Sequence, residues 1–495
     1  MIKVFAEGHD YYYEVSDILA NYVRRNEIEF VKCRLPAENR DVFVHSIKRA
    51  DSSGIKLECS ITGGGRSVCE PDLFEPVKDK EDGYTARKLY KRYVKHNMLK
   101  AAERFFDKSL PWGILTGIRP VKMIHKLMDE GLSQQYIFRH LVEFYRLSPE
   151  RARLGIDIAL TERKFIIPYD RKKVSVYISI PFCPTRCSYC SFTSNEMSRW
   201  GRFADQYTEC ITDEIKATAA ALNDNGFLCD TVYVGGGTPT ALNLSQLKKI
   251  LGNIRRHLVS PETREFTVEA GRPDTLDKGK LEAIKEYGAN RIGINPQTMN
   301  KKTLEIIGRK HSPADTLSAF ETARRAGHNN INMDIIVGLP GENTDMVEYT
   351  LSEITGLKPE GVTVHTLAVK RASRLREESF DRRPVPEQEA EAMMKLSQRR
   401  IVDMGMKPYY LYRQKYMVGN LENIGYSLPG FEGIYNMQIM EEKQTIIGIG
   451  AGAVTKLVFH EEDRLERKQN PKSLEHYLKR SRRIAVEKSK ILSNI

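Results

Sequence analysis

VSVYISIPFCPTRCSYCSF, residues 174–192, is the stretch that decides the fold. Its first half, VSVYISI (174–180), is apolar and rich in β-branched residues, the pattern of a strand buried in a parallel sheet. Its second half sets Cys183, Cys187 and Cys190 in one loop at C-x3-C-x2-C spacing. A [4Fe–4S] cluster takes cysteine thiolates, usually four, so three leave one iron open to a small molecule. Zinc is the alternative, but its sites pair one C-x2-C with a second. Here Cys33, Cys59, Cys69, Cys210 and Cys229 are scattered along the chain.

Five more β-type runs follow the first, at 230–234, 265–270, 290–295, 331–337 and 362–367, with helical patterns such as 203–222 and 245–258 between them. Strand alternating with helix gives βαβ units on a parallel sheet, and six units predict an α/β fold built as a partial (β/α)6 barrel. Chemistry belongs at the C-terminal ends of such strands. The candidates fall there in order: the cysteines, GGGTPT (235–240), Glu269, Gln297 and Asp334, with Arg309 in IIGRKH. The three glycines let backbone N–H groups approach a carboxylate or phosphate. Glu269 and Asp334 suit ribose hydroxyls or an amine, and Arg309 suits a carboxylate.

The flanks read differently. Residues 1–165 are expected to form an N-terminal α+β extension, residues 170–384 the barrel, and residues 385–495 a C-terminal accessory or lid domain. In the first, IKVFAEG, YYYEV, EFVKCRL, DVFVHSI and IKLECSIT read as a small antiparallel sheet, with GGGRS (63–67) as a hairpin turn and helices from about residue 84. PWGILTGIRPVK (111–122) is a Gly/Pro-punctuated loop that carries Arg119 as a site candidate. In the last, Tyr410, Tyr412, Arg413 and Lys415 combine flat rings with cations, a composition that suits a flat polyanion and ordinary packing alike. The net charge of +12 points to an anionic partner. No helix-turn-helix or aromatic-interleaved basic stripe marks a nucleic-acid binder. No run reaches the ~20 apolar residues of a membrane span. Few cysteines and no apolar opening segment predict a reducing, cytoplasmic setting.

YISIPFCPTRCSYCSF, VGGGTPT, NRIGINPQTMN, IGRKH, NMDIIVGLPGE and GIGAGA (448–453) together resemble the radical S-adenosylmethionine (SAM) family of oxygen-independent coproporphyrinogen III oxidases. The likeness covers about residues 170–490, and LTGIRPVK with HTLAVKRASRL (365–375) resembles its HemZ-type branch. It implies a [4Fe–4S] cluster on Cys183, Cys187 and Cys190. It also implies SAM among Tyr177, Tyr189, Gly235, Gly236, Gly237, Thr238, Glu269, Gln297, Arg309 and Asp334. The implied chemistry is reductive cleavage of SAM, hydrogen abstraction from the β-carbon of a propionate, then loss of carbon dioxide and one electron to leave a vinyl group. The partners would be an anionic tetrapyrrole and a low-potential flavodoxin- or ferredoxin-type electron donor. Arg119, Lys370, Arg371, Arg374 and Arg413 are the carboxylate candidates. Two positions depart from the best-known decarboxylases: Ser179 stands where they have histidine, and Phe192 where they have a fourth cysteine. The phenylalanine is shared with the haem chaperones, whose His-Asn motif is replaced here by GNLENIGY (419–426), with Gly419 in place of the histidine. Another radical reaction on a tetrapyrrole, such as methyl transfer or ring opening, and a haem carrier that keeps the fold stay open beside decarboxylation.

Overall fold

The computed structural model describes the chain except residues 34–40, 52–53, 75–82, 118, 191–193, 369–384, 415–416, 463 and 494–495. Lys370, Arg371, Arg374, Lys415 and Phe192 therefore lie outside the described residues. Two units make up the chain, Met1–Ile156 and Asp157–Ile495.

The first unit carries β1 (Ile2–Glu7), α1 (Tyr12–Leu19), β2 (Ile28–Phe30), β3 (Val42–Asp51), β4 (Gly54–Gly63) and β5 (Arg66–Phe74), in the sheet order β2-β1-β3-β4-β5. The sheet is mixed rather than antiparallel, because β1 pairs parallel with both β2 and β3. YYYEV is helical, against the expectation of a strand. Its tyrosines favour a strand, but Val15, Ile18 and Leu19 repeat at helical spacing and all three are buried. The hairpin at GGGRS stands, closed by Gly64 and Gly65 with φ of 56° and 77°. The helices α2 (Gly83–Phe106), α3 (Val121–Asp129) and α4 (Gln134–Glu143) follow, and α5 (Pro149–Ile166) begins in this unit and continues into the second. The loop before α3, with Arg119 near its end, buries Trp112 and Ile114.

The second unit is built on one sheet of eleven strands. It begins with β6 (Lys173–Ile180), continues through the short pair β7 (Phe182–Cys183) and β8 (Asn195–Glu196), and then α6 (Met197–Trp200) and α7 (Ala204–Asp224). Next come β9 (Leu228–Gly236), α8 (Leu244–His257), β10 (Glu265–Glu269), α9 (Lys278–Glu286), β11 (Arg291–Gly293), α10 (Lys301–Ile306) and α11 (Pro313–Arg325). β12 (Ile331–Val337), α12 (Thr344–Leu357) and β13 (Gly361–Thr366) complete the six predicted strands. They pair in parallel in the order β13-β12-β11-β10-β9-β6. Val174, Val176, Ile178 and Ile180 on one face of β6 are buried, and so are Ser175 and Ser179 on the other, as expected of a strand with both faces covered.

The C-terminal segment extends this same sheet at both ends. α13 (Glu387–Asp403) leads to β14 (Lys407–Tyr412) and β15 (Asn423–Ser427), which pack antiparallel beyond β13. After α14 (Ile434–Glu441), β16 (Ile446–Ile449) adds a seventh parallel strand beside β6, and β17 (Val454–Phe459), β18 (Arg464–Gln469) and α15 (Leu474–Leu492) follow. A buried ion pair fastens α15: the Lys488 ammonium reaches Glu214 of α7, which also accepts from Tyr477 at 2.6 Å and from the Gly450 N–H at 3.0 Å. Burial pushes the Glu214 carboxyl up, but Lys488, Tyr477 and Asn470 outweigh it and hold the group below its ordinary value.

Candidate functional site

A cavity of about 350 Å³ opens at the C-terminal ends of the parallel strands. Cys183, Cys187 and Cys190 are among its lining residues. Their loop is fixed by backbone bonds: Ser188 N–H to the Ile307 carbonyl at 3.0 Å, Asn195 N–H to Pro181 at 2.8 Å, and the pairing of β7 with β8. Cys183 and Cys187 are buried and Cys190 is half-buried. Burial pushes the Cys183 thiol up to about 11, with Thr238 pulling the other way and Cys190 and Cys187 adding to the rise.

The glycines that close β9 pack against the cysteine loop and the end of β6. Gly237 and Thr238 donate their N–H groups to Ile180 and Phe182, each at 2.7 Å, so neither is left for a ligand carboxylate. A Cβ on Gly237 would lie 2.5 Å from the Phe182 carbonyl oxygen and 3.0 Å from Cys183 Sγ. Gly236, at φ 110°, abuts Ser179 in the same way. Close approach is what these positions require.

Around the rim stand the strand-end residues. Glu269 accepts from Tyr233 at 2.6 Å. Burial raises its carboxyl to about 7; Tyr233 opposes the rise and Asp334 reinforces it. Asp334 moves the other way: burial would raise it, but His365 and the Asn332 bond at 2.7 Å leave it lowered. Gln297 adopts φ 68° and its buried side-chain oxygen has no hydrogen-bond partner among the described residues. A non-glycine residue held at positive φ beside a cavity is a common mark of a functional site. Arg309 donates to the Asn295 carbonyl at 2.7 Å, to Gly271 at 3.2 Å and to Tyr189 Oη at 3.3 Å. Of the sequence candidates, the three cysteines, Tyr189, Gly236, Gly237, Thr238, Glu269, Gln297, Arg309 and Asp334 line this one cavity.

Tyr177, Gly235 and Arg413 do not. Tyr177 stands behind the wall, its ring 6.2 Å from Tyr233 and 6.0 Å from Tyr435. Gly235 backs onto Glu269, whose Oε2 lies 2.9 Å from where a Cβ would be. Arg413 turns to its own loop and donates to Asn420 at 2.9 Å. Ser179, the departure from the decarboxylase pattern, is buried and donates to the Ala451 carbonyl at 2.9 Å.

Further residues line the same cavity; Tyr410 and Tyr412 were picked out in the sequence, whereas Tyr233, Arg291, Asn436 and Met440 were not. Together with His365 they lie among its lining residues. Tyr410 and Tyr412 stack at 6.3 Å. His365 sits 3.6 Å from Asp334 and 3.4 Å from Tyr412 Oη. Arg291 is a buried cation whose Nη2 donates to Tyr409 at 3.3 Å, while its Nε has no partner among the described residues. The arginine was legible within NRIGINPQ, but a charged residue opening an apolar strand reads as a surface position.

Residues 177–354 match the family model described as the Radical SAM superfamily. That match and the three-cysteine loop at the strand ends define a radical SAM protein, a class whose cofactors are a [4Fe–4S] cluster and SAM. The residues fit those cofactors. Three soft thiolates come from one loop that lines the cavity. The oxygen-independent coproporphyrinogen-III oxidase-like protein HemZ of Bacillus subtilis is 37% identical over 444 residues, covering 89% of this chain and 88% of that protein. The haem chaperone HemW of the same organism is 34% identical over 283 residues, 56% of this chain and 70% of its own. The solved coproporphyrinogen III oxidase HemN of Escherichia coli, titled a radical SAM enzyme, shares the fold at a TM-score of 0.53 and 21% identity, over 66% of this chain and 73% of that one. The chain belongs to the oxygen-independent coproporphyrinogen III oxidase-like family of radical SAM proteins, in its HemZ-type branch. Among the described residues, no helix is long and apolar enough to cross a membrane.

Proposed function

We propose that the protein oxidatively decarboxylates the propionates of coproporphyrinogen III to vinyl groups, forming protoporphyrinogen IX without oxygen. The observation that carries this reading is that one cavity is lined both by the cysteine loop and by Tyr233, Tyr410, Tyr412, His365 and Arg291. Flat rings suit a macrocycle, and a buried guanidinium suits a carboxylate. Cluster and SAM, when bound, supply the one-electron chemistry that removes a hydrogen atom from an unactivated carbon. The chain's own residues orient and exclude. Glu269, Gln297, Arg309 and Asp334 hold SAM. Arg291 holds a propionate, and the aromatic residues keep water from the reacting carbon. Lys370, Arg371, Arg374 and Arg119 are further carboxylate partners on this reading. Each vinyl formed releases carbon dioxide, one hydrogen atom and one electron. The reductant that starts the cycle is a low-potential flavodoxin- or ferredoxin-type protein of the cytoplasm.

The likeness to HemW, together with Ser179 in place of histidine, favours haem carriage as the second reading. Anaerobic turnover with the reconstituted cluster, SAM, dithionite and coproporphyrinogen III separates the two. Products lighter by whole carboxyl groups support decarboxylation. Unchanged coproporphyrinogen with stoichiometric haem binding supports the carrier.

A further inference from the structure

Arg272 lies next to the cysteine loop and is used by nothing described so far. It follows β10 in VEAGRP, and only 3% of it is exposed. Its Nε and Nη2 form a fork onto Asp274, at 2.9 and 2.7 Å. Its remaining nitrogen, Nη1, lies 3.5 Å from Cys187 Sγ and 3.4 Å from the Thr185 carbonyl, both in the cysteine loop. Asp274 in turn has His311 Nδ1 at 3.9 Å. A buried guanidinium, held from behind by a bidentate carboxylate, thus aims one N–H at the sulfur of a cluster ligand. The planar fork of arginine can do both at once; the point charge of a lysine cannot.

We infer that Arg272 is a positioning residue that sets the reduction potential of the cluster. One-electron reduction of the cluster adds one negative charge with no proton, and part of that charge resides on the thiolate sulfurs. An N–H donor and a fixed positive charge at Cys187 Sγ stabilise the reduced form more than the oxidised one, which raises the potential. Asp274 supplies orientation: without its fork the guanidinium has no fixed direction in the pocket. The arrangement also shields Cys187 from solvent on that side.

The test is the midpoint potential of the reconstituted, full-length holoprotein, followed by electron paramagnetic resonance during anaerobic titration with dithionite. Arg272→Gln should load its cluster and reduce at a lower potential than wild type. Arg272→Lys, which keeps the charge but not the fork, should fall between the two. A wild-type potential in Arg272→Gln with intact cluster content would overturn the inference. If Arg272→Gln does not load, the lysine variant decides: a lowered potential supports the inference and an unchanged one overturns it.

Discussion

The two groups of residues that line the cavity were written into the chain in different ways. The first group is assembled from short motifs, each at the end of one strand: the cysteine loop after β6, the glycines that close β9, Glu269 at the end of β10. The second group takes Tyr233 and Arg291 from within strands, His365 from β13, Tyr410 and Tyr412 from β14, and Asn436 and Met440 from α14. Cofactor geometry is fixed by the cluster and SAM, so it recurs as local sequence. A surface for the substrate needs only shape, rings and charge, and many arrangements supply those.

Substitutions in the two groups should therefore separate SAM cleavage from tetrapyrrole binding. The largest effect belongs to Cys187→Ala. It should reduce 5′-deoxyadenosine formation to background, since on the proposed reading it removes a cluster ligand; measurable cleavage would break the division at its root. Next is the pH response of Glu269. Its folded value of about 7 lies above the ordinary 4.5, so the protonated form is the one the fold favours. That contribution is complete below pH 4.5 and is lost as pH rises through 7. It amounts to about 3 kcal/mol at most, less where cavity water reaches the carboxyl. Melting curves of Glu269→Gln and wild type should diverge over this range, with the variant gaining relative stability as pH rises. Parallel curves would show that the carboxyl is not buried as described.

Gly237→Ala should cost about 1–3 kcal/mol, because its Cβ meets a backbone oxygen that cannot swing aside. Chemical denaturation would reveal it, with lower iron content after reconstitution. The smallest effect is in the second group. Tyr412→Ala should weaken tetrapyrrole affinity about tenfold, equivalent to about 1.4 kcal/mol, and leave uncoupled SAM cleavage unchanged. Fluorescence quenching by the tetrapyrrole reads the first and chromatography of 5′-deoxyadenosine the second. Loss of cleavage in this variant would mean that the two groups are not separable.

The six central strands and their order were legible because both faces of each are covered, and VSVYISI or INMDIIV has little else to be. The helix at Tyr12–Leu19 was not, since a tyrosine run mimics a strand and only the burial of Val15, Ile18 and Leu19 reveals the period. The place of β16 beside β6 was not legible, because paired residues such as Ile178 and Ile449 stand at opposite ends of this unit's sequence, with no local cue to their pairing. Arg272 shows the same limit at the site. VEAGRP gave Glu269 a role by its place at a strand end, while the arginine three residues on gained its meaning only from Cys187, brought to it by a different strand.

The central claim is that one cavity brings SAM and a tetrapyrrole propionate together, and isotope transfer tests it most directly. Coproporphyrinogen III deuterated at the propionate β-carbons would be turned over anaerobically and the 5′-deoxyadenosine weighed. The account predicts deuterium in the 5′-deoxyadenosine together with loss of carboxyl groups from the tetrapyrrole. Unlabelled 5′-deoxyadenosine beside intact coproporphyrinogen would contradict it.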